Sequence, residues 1–168
     1  PVTRSLLVRV SNKDNPQTVI GAFEQFATNL LEIRTLDVKC WVALDRIRDP
    51  GNLGTIMRTI DAVAADGVIL IDECTDPFSV ESVRASMGAI FTLKVSHCTS
   101  EEFITFKREF KGAVIGTALQ SSTDYRRADW RSPCIILMGN EQAGLPKKLR
   151  GACDQIIAMP MHGQTDSL

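Results

Sequence analysis

This sequence predicts an α/β domain, a parallel sheet with helices on both faces. Three observations point there. From about residue 19, short apolar runs alternate with helix-like stretches, the pattern that builds parallel sheets. The 168 residues suffice for one domain with its own core. Composition is that of an ordinary globular chain, at 44% hydrophobic and 23% charged.

The elements follow in order. Residues 11–16, SNKDNP, are polar and turn-rich and read as a linker. Six apolar runs read as buried strands: Trp41–Leu44, Val68–Ile71, Phe91–Val95, Ala113–Thr117, Ile135–Met138 and Ile156–Met159. The clearest helix covers 53–65, where Leu53, Ile56, Met57, Ile60, Val63 and Ala64 recur at helical spacing. Asn52 is placed to cap it, after a Pro50-Gly51 turn. At about 100° per residue the apolar stripe centres near Ile60, and Arg58 projects almost opposite, away from the sheet. Further helices are expected over Val80–Met87, ended by Gly88, and over Glu101–Phe110, capped by Ser100 or Thr99. A short one is expected over 146–151, with Pro146 in its first turn.

Several function classes are disfavoured. No apolar run is long enough to span a bilayer, and no basic-then-apolar signal segment opens the chain. The cysteines, at 40, 74, 98, 134 and 153, are odd in number and form no CxxC pair. That argues against a disulfide framework or a zinc site and for a reducing, intracellular, cytoplasmic setting. Cys40 and Cys134 sit in apolar runs and read as small core residues. With histidines only at 97 and 162, no metal centre is expected. Net charge is −1, yet basic residues cluster at Arg46/Arg48, at Arg126/Arg127/Arg131 and at Lys147/Lys148/Arg150. Such clusters can contact phosphates, although charge alone favours a solvated face.

Three stretches carry candidate chemistry. DPGNLGTIMRT, 49–59, joins a strand to a helix, where backbone N–H groups can approach an anion, but its spacing is not GxGxxG. GNEQAG, 139–144, has the GxxxxG frame of a phosphate loop, but Leu145 and Pro146 stand where Lys and Ser or Thr should follow. A nucleoside triphosphatase is therefore disfavoured, and Glu141 is left just beyond a strand end, where open parallel sheets bind ligands. The last stretch, 156–168, is a strand ending in Met-Pro-Met and then HGQTDSL. Each is weak alone.

Taken together, DPGNLGTIMRT, CIILMGNEQAGL and CDQIIAMPMHGQTDSL resemble the three motifs of the SpoU/TrmH-type methyltransferases of the SPOUT superfamily. VRASMGAIFTLKV and VIGTAL are similar to the same family, and the resemblance spans residues 16–168. It implies a parallel α/β fold with a C-terminal trefoil knot, a homodimer, and methyl transfer from S-adenosylmethionine to a ribose 2′-hydroxyl of tRNA or rRNA. Thr117, Gly139, Met159 and Leu168 fall at the family's cofactor-contacting positions, and Asn52, Arg58, Glu141 and Ser167 at its active-site positions. Arginine is a poor general base at neutral pH, so Arg58 is expected to bind phosphate and orient the hydroxyl. Glu141 is expected to brace Arg58 or Asn52, or to act on the pocket loop. The family's third motif continues past Ser-Leu into a helix, whereas this chain stops at Leu168, so the knot is expected to be incomplete here. Residues 1–15 are expected to be a linker or the tail of an N-terminal RNA-binding domain. A non-catalytic RNA-binding module on the same fold is the alternative, and a nucleotide-binding oxidoreductase lacks its fingerprint.

Overall fold

A computed structural model of the chain describes residues 1–11, 14–34, 39–119, 121 and 123–160. Six strands form one sheet: β1 Cys40–Asp45, β2 Gly67–Ile71, β3 Lys94–Cys98, β4 Ala113–Thr117, β5 Cys134–Met138 and β6 Gln155–Ile157. Their order is β3-β2-β1-β5-β4-β6, and every neighbouring pair is parallel. The helices are α1 Arg4–Ser11, α2 Pro50–Ala62, α3 Val80–Ala85, α4 Ser100–Glu109 and α5 Lys147–Arg150.

Alternation along each strand splits the core in two. On one face Trp41, Ala43, Ile69, Ile71, Val114, Ile135 and Leu137 pack with Phe103, Phe106 and Phe110 from α4 and its end and with Leu149 of α5. On the other, Leu44, Val68, Leu70 and Val95 pack with Leu53, Met57 and Ile60 of α2 and with Ile90. Each Val, Leu, Ile, Phe or Met side chain among them contributes about 1.5–3 kcal/mol when fully buried. The sheet therefore carries helices on both faces, as the alternating pattern predicts. The apolar stripe of α2 faces the sheet, and Gly54 sits where α2 crosses α3: a Cβ there would meet the Ala85 Cβ at 2.4 Å.

Some boundaries differ from expectation, each for a local reason. The strand expected over Phe91–Val95 lies at Lys94–Cys98, because Ala89–Phe91 forms a 3-10 turn and leaves Phe91 57% exposed. The clearest helix starts at Pro50, three residues early, and its cap is Asp49, not Asn52: the Asp49 carboxylate accepts the Asn52 N–H at 2.6 Å. Proline suits a first helical position, since the N–H it lacks has no partner there. α3 stops at Ala85, and Met87 and Gly88 then turn through left-handed backbone. α4 carries a full capping box between Thr99 and Glu102. β6 ends at Ile157, so Met159 lies beyond it. Residues 4–11, inside the stretch expected to be a linker or tail, form α1, which buries no side chain.

Candidate functional site

The strand order switches sides between β1 and β5, since β2 and β3 extend to one side and β4 and β6 to the other. Crevices outside the carboxyl ends at such a point are where open parallel sheets bind ligands. The two expected motif loops meet there. Asn140 donates its side-chain amide to the Arg46 carbonyl at 3.0 Å, pinning the loop after β5 to the loop after β1. Asn52 donates to Glu141 Oε1 at 3.3 Å, a second bridge between the same loops. The Asn140 amide also donates to Glu141 Oε2 at 3.3 Å, so both carboxylate oxygens are engaged.

The backbone around this bridge is tightly specified. The Asn140 side-chain oxygen accepts from the N–H groups of Gln142 and Ala143 at 3.0 and 3.1 Å, an Asx-type turn. Gly144 closes the loop back onto the Asn140 carbonyl at 2.8 Å with φ of 63°. A Cβ on Gly139 would lie 2.2 Å from the Gly144 carbonyl carbon, so any side chain there would force the loop open. The requirement for glycine at 139 thus comes from the loop's own backbone. On the β1 side, the buried Asp45 carboxylate takes Arg46 in an ion pair at 2.9 Å, and that hydrogen bond raises the Arg46 pKa further. Arg46 itself sits at φ 50°. Its carbonyl is the group Asn140 reaches, so the ion pair and the loop bridge share one residue.

Three of the expected cofactor residues lie side by side. Thr117 ends β4 opposite Ile157 of β6, and Gly116 faces Leu137 of β5. Gly139 follows β5 directly and Met159 lies two residues past β6, so all three cluster at adjacent strand ends about 4.8 Å apart. The segment after β6 is fixed by Tyr125 N–H to the Ala158 carbonyl at 3.0 Å and Ala158 N–H to the Thr123 carbonyl at 2.8 Å. Met159 and Leu119 remain 42% and 60% exposed beside it. Backbone groups next to exposed apolar side chains fit a flat, partly apolar ligand such as a nucleoside.

Arg58 is exposed on α2 and forms no ion pair among the described residues. It stands six residues from Asn52, about 9 Å along the helix axis. The structure does not bring it to the Asn52–Glu141 bridge. Ser167 and Leu168 lie outside the described residues, as does the segment that the expected knot needs. Most of the basic clusters are paired within the chain: Arg48 with Glu73, Arg126 with Asp124, Arg131 with Asp129 and Lys148 with Glu101. Among the described residues, no group of three or more His, Cys, Asp or Glu is arranged to hold a metal, and no helix is long and apolar enough to cross a membrane. A cleft of about 720 Å³ does exist, but it lies at the β3 edge, between residues 27–31 and α4.

Sequence reading missed Asn140, Asp49 and the Asp45–Arg46 pair. Asn140 carried a signal, since Asn directly after a strand-ending Gly is a turn former. Asp49 carried one too, directly before Pro50. Asp45 did not, because nothing in a strand-terminal Asp tells that it will be buried with its neighbour.

Fold and site together define a parallel α/β protein whose loops after β1 and β5 are joined at the carboxyl ends of the sheet, beside the ends of β4 and β6. The chain belongs to the SpoU rRNA Methylase family, whose model matches residues 39–168. It is 32% identical over 170 residues to a 23S rRNA (uridine(2479)-2′-O)-methyltransferase of Streptomyces viridochromogenes, covering 97% of this chain and 59% of that one. It is 29% identical to a 23S rRNA (guanosine(2553)-2′-O)-methyltransferase of Bacillus subtilis, covering 95% and 62%. Among solved structures, an AdoMet-bound rRNA methyltransferase from Sinorhizobium meliloti superposes with a TM-score of 0.93 at 46% identity, covering 99% of this chain and 64% of that one. The chain thus spans about three-fifths of the length of these relatives.

Proposed function

We propose that the protein transfers a methyl group from S-adenosylmethionine to a ribose 2′-hydroxyl of rRNA or tRNA. The observation that carries this reading is the joining of the two motif loops by the Asn52–Glu141 and Asn140–Arg46 hydrogen bonds, directly beside the Thr117, Gly139 and Met159 strand ends. The names of the relatives, ribose methyltransferases of 23S rRNA, support the reaction class.

The cofactor would be held by Thr117, Gly139 and Met159, with Leu168, and when bound it supplies a methyl group activated on a sulfonium. The rest of the work falls to the chain. The 2′-hydroxyl is a poor nucleophile, so alignment for in-line attack is the main contribution a protein can make. Glu141 holds Asn52 and so joins the two motif loops. Arg58, exposed and always charged, binds an RNA phosphate and orients the hydroxyl. Its distance from its own chain's Asn52–Glu141 bridge supports a homodimer, in which the arginine of one subunit serves RNA held against the other. Ser167 belongs to the same active site in this reading. We also take residues 1–15 as the link to an RNA-binding domain; the absence of buried side chains on α1 agrees with that role.

The test is labelled methyl transfer to unmodified rRNA and tRNA by the intact protein. Arg58→Ala should lower transfer by about a hundredfold or more, the cost of losing alignment, while cofactor affinity measured by calorimetry stays unchanged. Undiminished transfer by the variant would overturn the role of Arg58. Absence of cofactor binding by the intact protein would favour a non-catalytic RNA-binding module.

A further inference from the structure

We infer that Cys40 and Cys134 form an oxidisable dithiol, a cross-strand modification site that peroxide closes to a disulfide between β1 and β5. The two cysteines are register partners, each the first residue of its strand. Partners in parallel strands lie about 4.8 Å apart at Cα and point to the same face. That separation falls within the roughly 4.4–6.8 Å that a disulfide spans. The side chains share one small cluster with Ala113, Ile115 and Ile157, so both thiols are held on the same side of the sheet.

The thiols also perturb each other. Each thiol acts on its neighbour, holding Cys134 below the ordinary thiol range and Cys40 above it. A thiolate beside a second thiol is the arrangement that turns an oxidised sulfur into a disulfide. Cys134 is 9% exposed and Cys40 is half-buried, which favours a small oxidant.

The other cysteines differ in place and chemistry. Cys74 and Cys153 lie outside the strands, and their thiols donate to backbone carbonyls more closely, to Ile71 and to Leu149 at 3.3 Å each, than Cys40 does to the Trp41 carbonyl at 3.9 Å. Burial pushes Cys98 and Cys153 up to about 12, leaving little thiolate at neutral pH.

The chemistry balances with hydrogen peroxide as the oxidant. A thiolate of the pair attacks one peroxide oxygen, the O–O bond breaks, and hydroxide leaves to take up a proton as water. The sulfenic acid formed is then attacked by the second sulfur. The S–O bond breaks, the second thiol's proton leaves with that oxygen as water, and the S–S bond forms. Two thiols are oxidised and one peroxide becomes two waters.

Mass spectrometry tests this on the intact, folded protein. After peroxide treatment the protein is denatured, its free thiols are blocked with N-ethylmaleimide, and it is digested with trypsin without reductant. The expected product is Cys40–Arg46 linked to Ser132–Lys147, lighter by two hydrogens than the separate peptides and resolved by reductant. In Cys40→Ser, checked for folding by circular dichroism, the link should vanish and dimedone should trap a sulfenic acid at Cys134 ahead of the other cysteines. Recovery of both cysteines as maleimide adducts while Cys74, Cys98 or Cys153 oxidises would overturn the proposal. So would dimedone labelling of Cys134 in the variant no faster than that of Cys98.

Discussion

Asn52 and Glu141 stand 89 positions apart in the chain, and one hydrogen bond of 3.3 Å joins their side chains. Both are exposed, so the bond exchanges against water and contributes modestly, about 0.5–1.5 kcal/mol. Its consequence is geometric: it sets how far the helix entrance of α2 stands from the loop after β5. A double-mutant cycle on Asn52→Ala and Glu141→Ala, followed by urea unfolding, should give a coupling in that range. Additive effects, with no coupling, would show that the two side chains act independently. The Asp45–Arg46 pair works differently, because the Asp45 carboxylate is fully buried and its partner is only partly exposed. It keeps Arg46 in its left-handed turn, and with it the carbonyl that Asn140 engages.

At the scale of elements, α2 is the piece that delivers both Asn52 and Arg58, and its start is decided by Asp49. Asp49→Ala should lower stability by about 1 kcal/mol, the usual cost of losing a side-chain cap, with a matching fall in the urea midpoint at unchanged m-value. An unchanged midpoint would mean that Pro50 and the packing of Leu53 and Met57 fix the helix start without the cap. Asp49 also shows what could be read from sequence and what could not. Periodicity placed the buried face of α2, because Leu53, Met57 and Ile60 repeat at helical spacing and do line the sheet. It could not place the first turn, where exposed residues carry no period and Asp49 and Asn52 are both good caps. Strands buried on both faces, such as β2 and β4, were legible as unbroken apolar runs. β3 was displaced because it is an edge strand with polar Ser96 and His97, while Phe91, which reads as strand, is spent in a 3-10 turn. Of the three motifs, the loops after β1 and β5 meet in the structure, while the end of the third lies outside the described residues. The bridges between those loops were not legible, since the Asn140 contact to Arg46 joins residues 94 apart by a backbone carbonyl that has no sequence signature.

The whole molecule is a six-stranded parallel sheet whose carboxyl ends carry the joined loops after β1 and β5 beside the ends of β4 and β6, on a chain of the SpoU rRNA Methylase family. Seen whole, the sheet separates two kinds of chemistry. Cys40 and Cys134 lie at the amino ends of β1 and β5, five and more residues from the joined loops at the carboxyl ends, or about 16 Å along the strands. Family membership fixes the fold, and the reaction follows as a proposal from the meeting of the motif loops. The most direct test is the chemical identity of the product. RNA incubated with the intact protein and S-adenosylmethionine should be digested to nucleosides and analysed by mass spectrometry. The account predicts a single added methyl group that stays with the ribose when the glycosidic bond is broken, and its loss with Arg58→Ala. A methyl group found on the base would contradict it.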